Sequence, residues 1–454
     1  MKMTEAANHH AAIQTPEEVT HDLLGRLRAT GGVWLAFILL VLLAAAGAVR
    51  LSIMAASGPQ PLTNWGYAAA TLAFLVSTAQ AAPILSFASR LAKGYWAIPI
   101  RRASDLLGIS GIVTTPLFIV LLLALPDWRG RVSIWNANET WPGAPFVWDT
   151  IAILLLTVAG LAIIYVGSLP DLAAARDVHG SRLAGILALG WHGRGRQWAV
   201  LSTGIILLGG FYLMWFPYVH LFVVSDLGMA LVPGWKSSLM PPYHAVAGLQ
   251  AGLSTALVIS LVLRRVAGLE RYIGIDPFWG ASKILLGLTL LFFYFTWAEF
   301  LPIWYGRTPE EIGLIGTLML GPFLPLMVGS FVLNFIAPFV LLIWNPIRKS
   351  AMGPALVGLI IVIGNFVDRV RIYVASWSVA GPVGQEITTY PPIRPPQVGD
   401  IAIIVGALAA LGLLYIAALR VLPPISLWEY KTTLLLRAER RFGRTEVGVV
   451  AKPR

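Results

Sequence analysis

Apolar residues run through this chain in ten blocks, each about 20 residues or longer, separated by short polar gaps. The blocks are 33–55, 65–87, 106–125, 148–169 and 198–223, then 243–263, 284–305, 317–343, 354–377 and 400–420. At 1.5 Å of rise per residue, each reaches across a hydrocarbon core about 30 Å thick. Backbone groups in lipid must be satisfied within the segment itself, which selects helices over open strands. The pattern therefore predicts an all-α fold: a polytopic membrane domain of ten helices over residues 33–420. A polar tail (1–32) precedes it and a basic tail (421–454) follows. Within the first tail, Thr15-Pro16-Glu17-Glu18 has the order of a helix start, with Thr as cap, Pro at the first turn and Glu three residues after the cap. Leu23, Leu24 and Leu27 then make a short apolar face beside Arg26 and Arg28, which predicts a brief helix lying at the membrane surface. The first apolar block begins about 30 residues in and is long enough to span, so it is expected to be a retained anchor.

The gaps alternate in charge. About 25 of the 33 Lys and Arg residues fall in the N-terminal tail, the even-numbered gaps and the C-terminus, and about five in the odd gaps. Arg90, Lys93, Arg101 and Arg102 fill the second gap; Arg176, Arg182, Arg194 and Arg196 fill the fourth. Lys and Arg are retained on the cytoplasmic side, so both termini are expected there, in agreement with an even number of spans. The odd gaps are rich in Trp, Pro and Gly instead, from Trp135 to Trp148, at Val232-Pro233-Gly234-Trp235, and from Tyr390 to Pro396. This texture fits either an aromatic belt or a cap under an outer partner protein.

Composition narrows the function. The chain is 57% hydrophobic and 12% charged, about half the charged share of a soluble protein. The net charge of +11 is what cytoplasmic membrane loops carry, and no nucleic-acid partner is implied. With no cysteine, the chain has no thiolate to hold an iron–sulfur cluster or a zinc ion and no C-x-x-C-H haem attachment. Electrons passing through such a protein need a diffusible carrier and clusters on other chains.

An ionisable residue inside a span costs at least about 2.5–3.5 kcal/mol at mid-membrane, so each one needs a reason. Asp149 opens the fourth block. His220 and Asp226 lie near the end of the fifth, His244 opens the sixth, and Glu299 closes the seventh just before Trp304-Tyr305. Asn365, Asp368 and Arg371 recur at i, i+3 and i+6 on the ninth, so Asp368 and Arg371 are expected to pair while Arg369 points elsewhere. All of these fall in the outer half by the charge rule, and the inner half offers no comparable set of acids. Together they predict an outward-opening pocket bounded by Trp215, Tyr218, Trp297 and Tyr305. An aromatic pocket with a carboxylate and an imidazole suits a quinone, whose oxidation from the quinol must release protons. A single b-type haem between His220 and His244 is the rival use of the histidines. A metal cluster, a Ser-His-Asp triad or a phosphate-cradling glycine loop finds no support.

At these residues the chain resembles a known family. Trp141-Pro142-Gly143-Ala144-Pro145 with Trp148-Asp149, and Gly167-Ser168-Leu169-Pro170-Asp171 with Arg176-Asp177, are similar to motifs of the NrfD/polysulfide-reductase membrane subunits. Gly190-Trp191-His192-Gly193, Pro241-Pro242-Tyr243, Thr296-Trp297-Ala298-Glu299, Asp368-Arg369 and Leu427-Trp428-Glu429 continue the likeness from about residue 20 to 430. It is nearest to the larger such subunit of bacterial alternative complex III. The resemblance implies two four-helix bundles with two flanking helices, in the bacterial inner membrane. It also implies a menaquinone or ubiquinone site near the periplasmic face, without haem or iron–sulfur groups of its own. Implied partners are a periplasmic iron–sulfur/molybdopterin-enzyme-like subunit, a second NrfD-like subunit, c-type cytochrome subunits and lipid. Asp149, Asp226 and Arg369 are the positions it carries over. It departs in one place. The alternative-complex relatives have a third-span histidine, in a His-Leu-Gly-Arg-Pro context, against the quinone. Here the stretch reads Thr115-Pro116-Leu117-Phe118-Ile119, with Ile119 about where that histidine falls.

The expected function is therefore that of a quinol-binding subunit of an electron-transfer complex. Asp149 and Asp226 would take protons, His220 would hydrogen-bond a quinone oxygen, and Arg369 would orient a carboxylate. Trp297, Glu299, Tyr305 and Asp368 complete the expected quinone site. A structural anchor without a quinone site, or a secondary transporter, are the alternatives.

Overall fold

A computed structural model describes residues 15–26, 33–126, 142–379, 387, 389–442 and 445–450. Arg129, Arg131, Trp135 and Trp141 lie outside the described residues. The described chain is helical apart from one antiparallel hairpin at its end, β1 (Arg437–Phe442) with β2 (Thr445–Val450), in the register Arg437 to Val450. Eight of its helical stretches are long and apolar enough to cross a membrane. The protein is a multi-pass membrane protein.

The helices run α1 (Pro16–Gly25), α2 (Val33–Ala56), α3 (Gly66–Ser77), α4 (Pro83–Leu91), α5 (Ile98–Leu106) and α6 (Gly111–Ala124). They continue with α7 (Phe146–His179), α8 (Arg182–Leu187), α9 (Gly195–Leu227), α10 (Met240–Val266), α11 (Asp276–Gly306) and α12 (Pro309–Ile315). The last are α13 (Leu324–Phe331), α14 (Ala337–Ile343), α15 (Asn345–Arg348), α16 (Met352–Ser378), α17 (Val398–Val421) and α18 (Leu427–Leu436).

Two of the ten expected blocks differ from the eight long apolar helices. The second is broken: α3 ends at Ser77, five residues of turn follow, and α4 restarts at Pro83. Proline has no N–H to donate and fits the first turn of a helix, so Pro83 opens a new one rather than continuing the old. The ninth, α16, is continuous over 27 residues but carries Asp368, Arg369 and Arg371, which lower its apolar character. The eighth block is also interrupted. Gly321 follows a π-type turn at Gly316–Leu320, and a second π-type turn at Val332–Ile336 separates α13 from α14.

The expected N-terminal helix is α1, and its capping box is complete. Thr15 Oγ1 accepts from the Glu18 N–H, and the Glu18 carboxylate accepts from the Thr15 N–H. Its apolar face, Val19, Leu23 and Leu24, is buried against protein, including α7 and α18. Arg26 closes it onto the loop after α10 by donating to the carbonyls of Ala267 and Gly268. The N-terminal helix, the loop after α10 and the C-terminal helix thus share one face of the molecule, the face onto which the basic gaps open. The other face gathers the odd gaps. Arg394 donates to Thr63 O and to Asp400 at 3.1 Å, Tyr67 donates to Arg394 O, and Trp377 donates to Leu227 O.

Packing builds outward from α10 and α16, which lie against each other and against α3, α9 and α11. α7 packs on α6 and α9. The pair α2 and α17 packs mostly on itself. A Cβ on Gly47 would lie 2.8 Å from Gly406 Cα and Ala402 O, so only glycine lets the two backbones approach this closely. Much of the rest of α2, including Leu35, Ile38, Leu39 and Leu42, is exposed, as a lipid-facing helix is.

Candidate functional site

Beneath the face of the odd gaps, α16 brings three charges into the interior. Asp368 Oδ1 accepts from Arg371 Nη2 at 2.8 Å and from Ser330 Oγ at 3.1 Å, and Asp368 Oδ2 lies 3.3 Å from Arg369 Nη1. The expected pairing of Asp368 with Arg371 is present. Arg369 does not point away but joins the same carboxylate. Its other donors reach Ser77 Oγ on α3 and the His244 carbonyl on α10. Asp368 and Arg369 are 1% and 0% exposed. A charge buried this deeply is retained only when it is paired and fully hydrogen-bonded, and this network does both. The π-type turn around Asn334 assists: it leaves the Asn334 carbonyl to accept from Gln250 Nε2 at 2.9 Å, while the Asn334 amide caps Ser330 O.

The histidines meet. His220 Nδ1 lies 2.6 Å from His244 Nδ1, and His244 Nε2 lies 2.9 Å from the Tyr373 hydroxyl. One proton serves the Nδ1–Nδ1 contact, so the tautomers are linked. If His220 donates, His244 carries its proton on Nε2 and donates to Tyr373. If His244 donates instead, Tyr373 donates to His244 Nε2. Gly248 creates the room: a Cβ there would lie 2.6 Å from His220 Cε1. The ring centroids are 4.7 Å apart, and the facing nitrogens are hydrogen-bonded, so no iron fits between them. No cluster of His, Cys, Asp and Glu suited to a metal occurs among the described residues.

A cleft approaches this network from the side of α11. Its walls are Met240 and Tyr243 of α10, Glu299 and Ile303 of α11, Leu318 and Met319 of the π-type turn, and Arg371 of α16. Ser237 donates to the Glu299 carboxylate. The cleft is narrow, at roughly 30 Å³, room for about two waters.

The expected pocket is therefore corrected in its walls. Trp297 and Tyr305 are 51% and 79% exposed and face outward from α11. Tyr218 is exposed too, and Trp215 spends its N–H on the Ala152 carbonyl of α7. A helix has only one inward stripe, and on α11 it carries Phe292, Thr296 and Glu299. Asp149 and Asp226 are both fully buried, at the first turn of α7 and the last turn of α9, and neither lines the cleft. His220 stands behind it, through His244. The cavity therefore does not lie among Asp149, His220 and Asp226, as expected, but beside Asp368 and Arg371.

The other face holds a second buried network, where no comparable set of acids was expected. Arg90 joins Asp105 at 2.8 Å and Glu429 at 2.9 Å, Arg101 lies 3.3 Å from Glu429, and Arg102 lies 2.6 Å from Asp171. Asp171 also accepts from the backbone N–H of Leu427, which ties α18 to the end of α7. Burial opposes the charge on Glu429, but Arg90 and Arg101 outweigh it and hold the carboxyl below the ordinary glutamate range. The sequence concealed this because Asp105 and Asp171 sit at block ends, where a charge passes for an interfacial one, and Glu429 lies in the basic tail. The signal was the pairing of signs, Arg101 and Arg102 with Asp105 on one short helix.

No protein-family profile matches this chain, and no curated protein matches it.

Proposed function

We propose that this protein is a quinol-binding membrane subunit of an electron-transfer complex, with the reacting ring in the cleft between α10, α11 and α16. The observation that carries the reading is an apolar cleft with a carboxylate and a guanidinium in its wall, backed by a buried network of charges and imidazoles. Glu299 and Arg371 stand in the cleft wall, Arg371 pairs with Asp368, and Arg369 ties that carboxylate to the backbone carbonyl of His244, whose ring touches His220 and Tyr373. Quinol oxidation releases two protons and two electrons. Glu299 takes each proton in turn and passes it to water at the mouth of the cleft, while Tyr243 and Arg371 bind the ring oxygens. The electrons leave to clusters on a partner chain. The likeness of the sequence to NrfD/polysulfide-reductase subunits supports this reading, with ten spans in two four-helix bundles, α2 and α17 as the flanking pair, both termini cytoplasmic, and the cleft toward the periplasm of a bacterial inner membrane. The site is then rebuilt around Glu299, because Ile119 stands where the relatives place a histidine.

The cleft is too narrow to receive a ring as it stands, so binding requires Met240, Leu318 and Met319 to part. That narrowness favours a second reading, a scaffold that holds partner subunits and binds no quinone. Glu299→Gln separates the two. In the native assembly, the quinol reading expects a loss of about 10²-fold or more in menaquinol- or ubiquinol-dependent electron transfer, with the assembly intact. Unchanged turnover in an intact assembly means that the cleft is not the reacting site.

A further inference from the structure

On the basic face a second cleft opens between the short turn before α5, the start of α11 and α18. It has a volume of about 470 Å³, and its walls include Trp96, Arg271, Trp279, Lys283 and Tyr430. Two lysines converge on the Trp279 ring, Lys283 from the cleft wall and Lys349 from just after α15. Lys283 Nζ stands 3.8 Å from the Trp279 ring centroid and Lys349 Nζ stands 5.4 Å from the same centroid. Neither ammonium forms an ion pair with a described residue. The Trp279 indole N–H, shielded from solvent, has no acceptor among the described residues. Like charges held this close repel, and an indole face offsets only part of that, about 0.5–1 kcal/mol where it is exposed to water. Among the described residues the one acid in the cleft wall is Asp276, in the first turn of α11, at the positive end of the helix.

Position argues for lipid. Lys283 lies seven residues into α11, about 10 Å along the axis, and reaches back one turn to Trp279. Lys283 stands just before the apolar block that begins at 284, with its charge turned toward the start of the helix, as a lysine at the headgroup boundary is. Aromatic side chains around it, Tyr95, Trp96, Trp279 and Tyr430, are those that settle at the headgroup boundary.

We propose that this cleft binds the phosphate headgroup of an anionic phospholipid, with Lys283 and Lys349 paired to the phosphate and the Trp279 N–H donating to it. The acyl chains lie along the exposed lipid face of α11, past Ile284 and Leu291. This site lies on the face opposite the quinol cleft and does not depend on the function proposed there.

The test is native mass spectrometry of the full protein released from nanodiscs of phosphatidylglycerol, of phosphatidylcholine, or of a mixture, with Lys283→Gln/Lys349→Gln and Lys283→Arg/Lys349→Arg alongside the wild type. Wild-type protein is expected to retain phosphatidylglycerol in preference to phosphatidylcholine. Each neutralised lysine should weaken retention about 5-fold, and the double arginine variant should keep it. Soluble glycerol phosphate at millimolar concentration should not displace the lipid. Equal retention by the double glutamine variant and the wild type would overturn the site. Displacement by glycerol phosphate would overturn the lipid as its occupant. Circular dichroism and elution volume identify any variant that has misfolded, and in that case the single variants Lys283→Gln and Lys349→Gln decide.

Discussion

Asp368→Asn isolates the one carboxylate on which the buried charges of α16 depend. Asp368 faces two guanidinium groups, Arg371 at 2.8 Å and Arg369 at 3.3 Å, and all three side chains are buried. Asparagine keeps the shape and can still accept from Ser330 and Arg371 through its oxygen. Its amide nitrogen then faces Arg369, donor against donor, and the local charge rises from +1 to +2. Breaking a buried pair by removing one partner costs about 3–5 kcal/mol, and here one substitution uncovers two cations, so the loss should reach at least about 3 kcal/mol. Reversible unfolding of the full chain in mixed micelles under increasing denaturing detergent measures it. Adding Arg371→Gln restores the local charge to +1, so the double variant should recover part of the loss, giving a coupling energy of about 1 kcal/mol or more. If Asp368→Asn unfolds within about 0.5 kcal/mol of the wild type, the carboxylate is not neutralising these arginines and the account of the site fails.

Gly248→Ala places a methyl group 2.6 Å from His220 Cε1 and 3.1 Å from Phe216 Cζ. It should cost about 1–3 kcal/mol by overpacking, and the imidazole resonances of His220 and His244 in selectively labelled protein should both move; an unshifted pair would mean that the rings are not held as described. The network on the basic face predicts a pH response. The Glu429 carboxyl lies below its ordinary value of 4.5, so its stabilising contribution is complete above that pH and is lost as pH falls through the lower folded value. Protease sensitivity of α18 should therefore rise on acidification from about pH 4.5 downward. Glu429→Gln should show the sensitivity already at pH 7 and lose the acid step. An acid step that persists in Glu429→Gln would assign it to another group.

The helices were legible from hydropathy because lipid imposes a length and removes most of the ambiguity between helix and strand. The breaks inside the blocks were less so. A window average passes over the stop after Ser77 and the turn at Gly321, because neither introduces a charge. Of the site, the spacing of Asp368 and Arg371 on one helix face was readable, since that periodicity is local. The contact of His220 with His244 was not, because it depends on how α9 and α10 cross. The same holds for Arg369 reaching α3, and for which side of α11 faces inward. A run such as Phe292 to Tyr305 is apolar on every side, so hydropathy does not reveal which of Trp297 and Glu299 looks into the protein.

The position of the charges follows from the packing rather than from any single helix. Arg369 reaches α3 through Ser77 and α10 through the His244 carbonyl, while Asp368 reaches α13 through Ser330. Ser77 is the last residue of α3 before its break, and His244 lies in the first two turns of α10. A regular span closes its hydrogen bonds on itself and leaves little for a guanidinium to bind. Broken ends and π-type turns release carbonyls and hydroxyls at membrane depth, and a buried arginine needs those acceptors. Arg371 shows the pairing directly: its Nη1 donates at 3.2 Å to the Leu318 carbonyl, inside the π-type turn Gly316–Leu320. Restoring a regular helix over Gly316–Leu320 should therefore be tolerated better when Arg371 is removed as well.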